Sequence, residues 1–331
     1  MQAVVFEQFG EPADVLRVQD RPDPQPGPGE VRVRMIAAPI NPSDAMTIRG
    51  VYPRLPDPPA VPGYDGVGVV ERSGGGLLGR LVTGKRVAVG HRLGGTWADF
   101  AVVPAEQVMP IPKGVSDEQG AMFFVTAFAM TRRVLAVPAG EWLLQTAAGS
   151  ALGRMVIRLG RRFGFRTLNV VRRAEQIDEL KSLGGDAVVP FDERQHAPEQ
   201  LRERITTFVG ADGVRFAIDP VGGATGSAAV NCLGRGGRLL TFGSLSDVPV
   251  TVSPRALITP GAAVEGFWLT HYMDGLGLLG KLRLIKRVGR LVRDGVLAAE
   301  VGEVFPLVDV RNAATASERV GRGGKVLLRI G

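Results

Sequence analysis

The stretch Thr146-Ala-Ala-Gly-Ser-Ala-Leu-Gly153 joins an apolar run at 141–146 to an amphipathic run at 152–163. The first run is typical of a buried strand and the second of a helix. A glycine-containing turn between a strand and a helix is where a doubly wound sheet binds pyrophosphate, against the N-terminus of the helix. Aligned with Gly-x-Gly-x-x-Gly, the stretch has only the last of the three glycines, Gly153, in place. The prediction of a dinucleotide site therefore depends on the strand and helix that flank the turn.

Strand and helix patterns continue to alternate around this turn. The helical patterns lie at 117–135, 174–183 and 198–209, and the strand patterns at 166–171, 186–190, 214–219 and 238–242. Such alternation predicts βαβ units, and hence a parallel sheet with helices on both faces.

The two ends of the chain have a different character. Before about residue 115, short apolar runs are separated by clusters of proline and glycine, which is typical of a compact β-rich unit. From about residue 264 the pattern becomes mixed again, and the chain ends in a strand-like run at 325–330. We therefore predict one domain inserted into another, with 1–120 and 264–331 forming the β-rich domain and 121–263 the nucleotide-binding domain.

Two arginines follow the strand pattern at 166–171. Sheets that bind NAD usually carry an acidic residue about 20 residues after the glycine turn begins, to hold the ribose 2′-hydroxyl. Arg172 and Arg173 instead favour the 2′-phosphate of NADPH, through charge-assisted hydrogen bonds. The alternative is that they are two solvent-exposed arginines at the start of a helix, where the helix dipole disfavours them.

Composition argues against several classes of protein. The 331 residues carry a net charge of +7, but the arginines are scattered and only 6% of residues are aromatic, so no nucleic-acid partner is expected. A diffuse positive field suits an anionic small molecule or an acyl carrier. Neither a membrane-spanning stretch nor a secretory leader is evident, so we expect a cytoplasmic protein. The single cysteine, Cys232, rules out an internal disulfide and is predicted to lie in the core.

The order of β-rich unit, nucleotide fold and returning tail, together with the quoted turn, resembles the medium-chain dehydrogenase/reductase superfamily over the whole chain. Its zinc-containing members carry Gly-His-Glu where this chain has Gly63-Tyr64-Asp65, and a cysteine ligand in the region of Asn41-Pro-Ser-Asp44. One cysteine in the whole chain supports neither the catalytic nor the four-cysteine zinc site. The sequence thus predicts a zinc-independent member that binds no metal.

Within this branch, the chain is most similar to the mitochondrial-type 2-enoyl thioester reductases. The likeness is carried by Asn41-Pro-Ser-Asp44, by Ile48-Arg-Gly-Val-Tyr52-Pro at the same spacing, and by Gly266-Phe-Trp-Leu269. Three segments depart from that pattern. Arg49 stands in place of Gln, Phe123-Phe-Val-Thr126-Ala in place of Asn-Pro-Cys-Thr-Ala, and Phe242-Gly-Ser-Leu245 in place of Tyr-Gly-Gly-Met.

The resemblance implies an α/β fold, with a Rossmann-type doubly wound parallel sheet inserted into a GroES-like β-rich catalytic domain, and a homodimer. It implies NADPH as cofactor and, as substrate, a trans-2-enoyl thioester of coenzyme A or an acyl carrier protein. Hydride would add to the β-carbon and a proton to the α-carbon, with Tyr52 as the proton donor.

The resemblance also assigns binding residues. Substrate contacts fall to Asn41, Tyr64 and Tyr272. Cofactor contacts fall to the turn and to residues elsewhere in the chain: Thr126, Gly149, Ser150, Ala151, Leu152, Gly153, Arg172, Arg173, Phe242, Gly243, Phe267, Trp268, Leu269 and Lys325.

Other interpretations of the same residues stay open. An NADPH:quinone or enone oxidoreductase would share the fold and the hydride donor but would not use a thioester. A protein that binds NADPH without turnover would account for the incomplete glycine motif and for the loss of the Asn at position 123. For Tyr52 the alternative is a loop aromatic packed against Pro53 and Pro56, and for Phe267 and Trp268 it is a core aromatic.

Overall fold

A six-stranded parallel sheet and a seven-stranded, mostly antiparallel sheet organise the protein, together with a small two-stranded sheet. A computed structural model describes residues 1–91, 93–122, 125–246, 248–321 and 323–331. The sheets belong to two units of the chain, Met1–Phe123 with Ala298–Gly331, and Phe124–Leu297. The second unit interrupts the first, so one is inserted into the other. Its end at Leu297 lies further along the chain than the boundary at 264 that the sequence pattern suggests.

The elements are numbered in chain order. The strands are β1 (Gln2–Val5), β2 (Arg17–Asp20), β3 (Glu30–Pro39), β4 (Asp65–Ser73), β5 (Arg86–Gly90), β6 (Phe100–Pro104), β7 (Val108–Pro110), β8 (Trp142–Gln145), β9 (Arg166–Val171), β10 (Ala187–Pro190), β11 (Val214–Asp219), β12 (Leu233–Thr241), β13 (Ala263–Gly266), β14 (Val301–Pro306) and β15 (Lys325–Arg329). The helices are α1 (Pro12–Val15), α2 (Pro42–Ile48), α3 (Leu77–Val82), α4 (Asp117–Ala121), α5 (Val125–Ala129), α6 (Ala151–Phe163), α7 (Ile177–Ser182), α8 (Pro198–Val209), α9 (Gly223–Asn231), α10 (Pro254–Ile258), α11 (Leu269–Asp274), α12 (Leu278–Arg293) and α13 (Val310–Glu318). Among the described residues, no helix combines the length and the apolar character that a bilayer span requires.

The first unit is centred on β3. Its sheet has the order β14-β15-β3-β4-β5-β7, and β6 also pairs with β3. Val31, Val33 and Met35 of β3 are fully buried, and they pack in one apolar cluster with Trp97 and Phe6. Alternating apolar positions on a long strand thus supply the core that holds the surrounding loops in place.

The second unit is a parallel sheet with the order β10-β9-β8-β11-β12-β13, in which every neighbouring pair is parallel. This is the order of a Rossmann-type doubly wound sheet. The direction in which strands are added reverses between β8 and β11, and ligands bind outside the carboxyl ends of the strands at such a point. The glycine turn 146–153 follows β8 at this position.

Most strand and helix predictions for the second unit are confirmed. The predicted segments 166–171, 198–209 and 214–219 coincide with β9, α8 and β11, and Cys232 is fully buried. The predicted helix 117–135 is wrong as one continuous element, because α4 ends at Ala121, α5 begins at Val125, and a π-helical turn follows at Met130–Val134. Helix α9 was not predicted, since its run of small residues has no clear apolar periodicity.

Gly153 allows α6 to approach the turn closely. A Cβ at this position would lie 2.7 Å from the Cα of Ala148, which is backbone and cannot move aside. We expect Gly153→Ala to lower the free energy of unfolding by about 1–3 kcal/mol through overpacking. Gly280→Ala, at the same third position of α12, places its Cβ 3.6 Å from Leu276 and should stabilise the protein by about 0.5–1 kcal/mol. Chemical denaturation of both variants tests this, and equal effects would contradict it.

Candidate functional site

The glycine turn between β8 and α6 is held by hydrogen bonds at both ends. The Ala148 N–H donates to the Val170 carbonyl of β9 at 3.1 Å. Ser150 is the N-cap of α6, and its Oγ accepts from the Gly153 N–H at 3.1 Å. Ala147 has a φ of +48°, in the left-handed region that non-glycine residues rarely adopt. The turn is therefore fixed in one conformation, with the N-terminus of α6 directed to the carboxyl edge of the sheet.

Gln176 lies over this turn and was not expected from the sequence. A Cβ at Gly149 would collide with Nε2 of the Gln176 side chain, so any larger residue at position 149 would displace this amide. Arg154 braces the same peptide, because its Nε donates to the Gly149 carbonyl at 3.1 Å while its guanidinium pairs with Glu179. The only sequence feature that points to Gln176 is its position shortly after β9. A solvent-exposed residue at that position would look the same in the sequence.

A buried hydrogen bond links the carboxyl ends of β8 and β11. The Thr146 hydroxyl donates to the Asp219 carboxylate, which also accepts from the N–H groups of Val221 at 3.1 Å and Gly222 at 2.9 Å. Burial raises the pKa of Asp219, while these three donors act in the opposite direction. Asp219 thus fixes the loop after β11 as well as the start of the glycine turn.

A second buried pair supports the turn from beneath. The Gln145 amide donates to the Gly153 carbonyl at 3.0 Å and to Asn169 Oδ1 at 2.7 Å. Asn169 in turn donates to the Ala187 carbonyl at 2.9 Å. Asn169 lies inside β9 and bonds to Gln145 of β8 and Ala187 of β10, so it links these three parallel strands beneath the turn. Its side chain is therefore not available to a ligand.

The end of β9 presents positive charge, as the sequence predicts. Arg172 is exposed and Arg173 is half-buried immediately after the strand. Asp192, beyond the neighbouring strand β10, has its pKa lowered to about 2, mainly by hydrogen bonds from Arg194 and to a smaller extent by the charge of Arg172. Arg194 Nη2 donates to Asp192 Oδ2 at 2.6 Å. Among the described contacts, Arg172 makes no hydrogen bond to this carboxylate.

The remaining predicted residues of the second unit lie on three segments. Phe242 and Gly243 follow β12, and the Phe242 N–H donates to the Asp219 carbonyl at 3.0 Å. After β13, Phe267 is buried with its ring 5.8 Å from that of Tyr272, and Leu269 begins α11. Trp268, on the same segment, makes an edge-to-face contact with His271, with the ring centres 4.6 Å apart. Thr126 lies half-buried on α5, whereas Phe123 and Phe124, where the sequence departs from its family, lie outside the described residues.

In the first unit, the N-terminus of α2 encloses a buried carboxyl group. Asp44 is fully buried and accepts from the Asn41 N–H at 2.7 Å and from the Tyr64 N–H at 3.0 Å. Burial raises the pKa of Asp44 to about 7. The carboxyl group thereby joins the Asn41 segment to the loop that carries Tyr64.

Asp65 forms the second acid of this cluster. It accepts from the Asn41 side-chain amide at 2.9 Å, and burial raises its pKa to about 6 although the charge of Lys325 acts in the opposite direction. Lys325, at the start of β15, also acts on Asp44. The structure therefore places Asn41 and Lys325 in an acidic cluster of the first unit. The cofactor contact expected for Lys325 stays a prediction.

Two tyrosines lie side by side next to this cluster. The rings of Tyr52 and Tyr64 are 5.4 Å apart and tilted by 44°. Tyr64 Oη is 2.7 Å from Thr47 Oγ1, and burial raises the pKa of Tyr64 to about 12. Arg49, which departs from the family pattern, pairs with Glu11 and Glu318 on the surface. The first unit thus presents a phenol pair whose inner member is fixed by hydrogen bonds.

Comparisons with known proteins agree with both units. Residues 27–113 match the family model "Alcohol dehydrogenase GroES-like domain", and residues 151–280 match "Zinc-binding dehydrogenase". The zinc-ligand positions of the first unit hold Tyr64 and Asp65, and no group of three or more His, Cys, Asp or Glu in the described part of the chain is placed to bind a metal.

Three relatives extend over nearly the whole chain. The mitochondrial enoyl-[acyl-carrier-protein] reductase of Xenopus tropicalis is 33% identical, over 96% of this chain and 92% of its own. A mycobacterial quinone oxidoreductase superposes with a TM-score of 0.87 at 27% identity, over 99% of both chains. The quinone oxidoreductase of Thermus thermophilus superposes with a TM-score of 0.79 at 28% identity, over the full length of both chains. Its structure is known also as a complex with NADPH.

These matches cover the β-rich unit, the inserted parallel sheet and the returning tail together. The chain belongs to the zinc-independent branch of the medium-chain dehydrogenase/reductase superfamily, which includes enoyl thioester reductases and quinone oxidoreductases.

Proposed function

We propose that this protein is an NADPH-dependent reductase of a C=C bond conjugated to a carbonyl group, and that its substrate is a trans-2-enoyl thioester. The observation that carries the proposal is the phenol pair of Tyr52 and Tyr64 beside a buried acidic cluster. A phenol with a pKa near 10 is a suitable proton donor to an enolate. The likeness to enoyl-[acyl-carrier-protein] reductases over 96% of the chain supports the thioester.

The second unit fits NADPH. The N-cap Ser150 starts helix α6, and the first N–H groups of this helix at the carboxyl edge of the sheet suit pyrophosphate. The guanidinium groups of Arg172 and Arg173 suit the 2′-phosphate. When bound, NADPH supplies the hydride. The chain's own part is to fix the nucleotide through the turn, which Thr146, Gln145 and Asp219 hold from below.

Tyr52 is the better proton donor of the two tyrosines. Burial raises the pKa of Tyr64 to about 12, which makes it a weaker acid, and its hydroxyl is engaged with Thr47. Tyr64 instead packs its ring against Tyr52 and so restricts where that phenol lies. We assign proton delivery at the α-carbon to Tyr52 and orientation of Tyr52 to Tyr64 and Thr47.

A second candidate substrate is a quinone or an enone. It is favoured by the mycobacterial and Thermus thermophilus quinone oxidoreductases, which superpose over the whole chain. The segment 242–245, which departs from the thioester reductases, lies directly after β12 at the carboxyl edge of the sheet. Reduction of a quinone does not depend on an enolate proton donor at Tyr52, so the two substrates respond differently to its removal.

We also propose a homodimer formed through β13. This strand is at the edge of the parallel sheet, with β12 as its only neighbour among the described strands. Val264 on β13 is 38% exposed, and Ile258 on the preceding helix is 77% exposed. An exposed edge strand with apolar neighbours is suited to pairing with its own copy across a two-fold axis.

The cellular location remains a prediction. The sequence favours the cytoplasm, whereas the enoyl-[acyl-carrier-protein] reductase of Xenopus tropicalis is mitochondrial by name. Fractionation of the host cell would decide between them.

The 2′-phosphate contact predicts a preference for NADPH over NADH. One good charge-assisted hydrogen bond of about 1.5–3 kcal/mol corresponds to roughly 10- to 100-fold discrimination. Arg172→Ala should weaken NADPH binding by about this factor and leave NADH affinity nearly unchanged, as measured by fluorescence titration. Arg166→Ala removes an arginine at the opposite end of the same strand, where it stacks on Trp142, and serves as control. Equal affinities for both nucleotides in the unmodified protein would contradict the assignment.

The proton-donor role predicts a large effect of one oxygen atom. Tyr52→Phe should lower kcat for crotonyl-CoA reduction by about 10²–10⁴ and leave NADPH affinity unchanged. Tyr64→Phe is the matched control, and should cost much less because it keeps the ring beside Tyr52 and loses the hydroxyl contacts with Thr47 and the Arg54 carbonyl. Steady-state rates with crotonyl-CoA and with a quinone test the substrate as well. A quinone reduced faster than crotonyl-CoA, with a rate that Tyr52→Phe does not change, would favour the second candidate.

The dimer proposal predicts that a charge on β13 separates the subunits. Val264→Lys should shift the sedimenting species from twice the 35.2 kDa chain mass to the chain mass itself. Val304→Lys is a close control, since Val304 lies on the edge strand β14 of the other sheet and is 39% exposed. Dissociation by the control variant alone would place the interface on β14 instead.

A further inference from the structure

Helix α12 is strongly basic on its outer side. Over 16 residues it contains no acidic residue, and its apolar face buries Leu284, Val288 and Leu291 against the second unit. The six basic residues on the helix are Lys281, Arg283, Lys286, Arg287, Arg290 and Arg293. All but Lys281 are exposed. The helix is thus anchored by one face and presents a row of positive charge on the other.

Two other segments add to this charge around a single ring. The guanidinium carbons of Arg132, Arg162 and Arg287 lie 4.6, 5.5 and 5.8 Å from the centre of the Phe163 ring. They come from the π-helical turn after α5, from α6 and from α12. Burial and the positive charge of Arg287 lower the pKa of Arg132. The ring draws three like charges together by cation–π attraction.

Arg293 lies 3.8 Å from the carboxylate of Asp294, but most of the positive charge is not neutralised in the described part of the unit. In the described residues, Arg162, Lys286, Arg287 and Arg290 form no ion pair with a carboxylate, although other arginines of the unit do, such as Arg238 with Glu265 at 2.7 Å. Unpaired like charges repel one another and do not stabilise the fold. They are, however, well placed to attract an acidic partner.

We propose that the surface formed by Arg132, Arg162, Lys286, Arg287 and Arg290, here named the basic surface, docks an acidic acyl carrier protein that delivers the thioester. This rests on the proposed function and specifies the carrier. Positive and negative patches on partners speed their encounter and fix their register.

The size of the basic surface favours a protein over a nucleotide. The other basic residues of α12 extend this surface along the helix from Lys281 to Arg293, about 18 Å at 1.5 Å per residue, and two further segments contribute charge. The phosphates of coenzyme A would occupy only a small part of it. A carrier protein, whose acidic surface is continuous, can engage the whole row.

The position of the basic surface within its unit is compatible with delivery. Arg132 follows Thr126 on a continuous helical segment, roughly 9 Å further along at 1.5 Å per residue. Thr126 is one of the expected cofactor contacts. A carrier holds its thioester on a flexible prosthetic arm, so its body docks at a distance from the reacting carbon.

A charge reversal separates docking from chemistry. We expect Lys286→Glu/Arg290→Glu to weaken binding of a purified crotonyl-carrier protein by about tenfold or more, measured by calorimetry at low salt. Its kcat/KM for the crotonyl-carrier thioester should fall to a similar extent and become less dependent on salt. The kcat/KM for crotonyl-CoA should stay the same.

Two further variants serve as controls. Arg80→Glu/Lys85→Glu makes the same change of charge at two exposed residues of the first unit and should leave carrier affinity unchanged. Lys286→Gln/Arg290→Gln, which removes charge without reversing it, should weaken carrier binding less than the reversal. Thermal melting of each variant verifies that it is folded.

Several outcomes would overturn the docking proposal. They are unchanged carrier affinity in the reversal variant, an equal loss in the first-unit control, no carrier binding by the unmodified protein, or binding to phosphatidylglycerol vesicles in place of the carrier. If the unmodified protein reduces neither crotonyl thioester, the proposed function fails, and the calorimetric affinities still decide whether the basic surface docks a carrier.

Discussion

The hydrogen bond from the Thr146 hydroxyl to the Asp219 carboxylate holds together the ends of two central strands of the parallel sheet. Through it, the glycine turn after β8 and the loop after β11 share one buried acceptor. The other hydrogen bonds of the turn, from the Gly153 N–H to Ser150 and from Gln145 to the Gly153 carbonyl, lie within a few residues of this junction. A buried carboxylate that accepts three hydrogen bonds is costly to disturb, so the junction gives the cofactor turn a rigid base.

The fold of the inserted unit could be predicted where the sequence is locally consistent. Strand β9 and helix α8 have strong apolar periodicity, and both occur at the predicted residues. The prediction failed or was absent where tertiary packing decides. Helix α9 is made of small residues that give no periodic signal, and its burial comes from its neighbours. β13 is too short to distinguish from a loop, and the second unit continues past it through α11 and α12 to Leu297, beyond the predicted boundary.

The candidate site shows the same division. The glycine turn and the arginines after β9 could be found by position, since a strand and a helix around a turn fix what lies at the sheet edge. The acidic cluster could not. Asp44, Asp65 and Lys325 come from helix α2, the start of β4 and the start of β15, and only the folded chain brings them together. Likewise, Thr47 is an ordinary helix residue until Tyr64 is placed beside it.

The pairing of β15 with β3 has a consequence for how the chain is made. Leu327 lies opposite Pro39, so the whole inserted unit must leave the ribosome before this edge of β3 is covered. The inserted unit is continuous in sequence and can complete its own sheet earlier. During that interval residues 37–39 present open backbone groups, the feature by which nascent strands associate with one another. Synthesis from the amino terminus thus makes β15 the last strand to join the first sheet, and the growing chain keeps an open strand edge until β15 arrives.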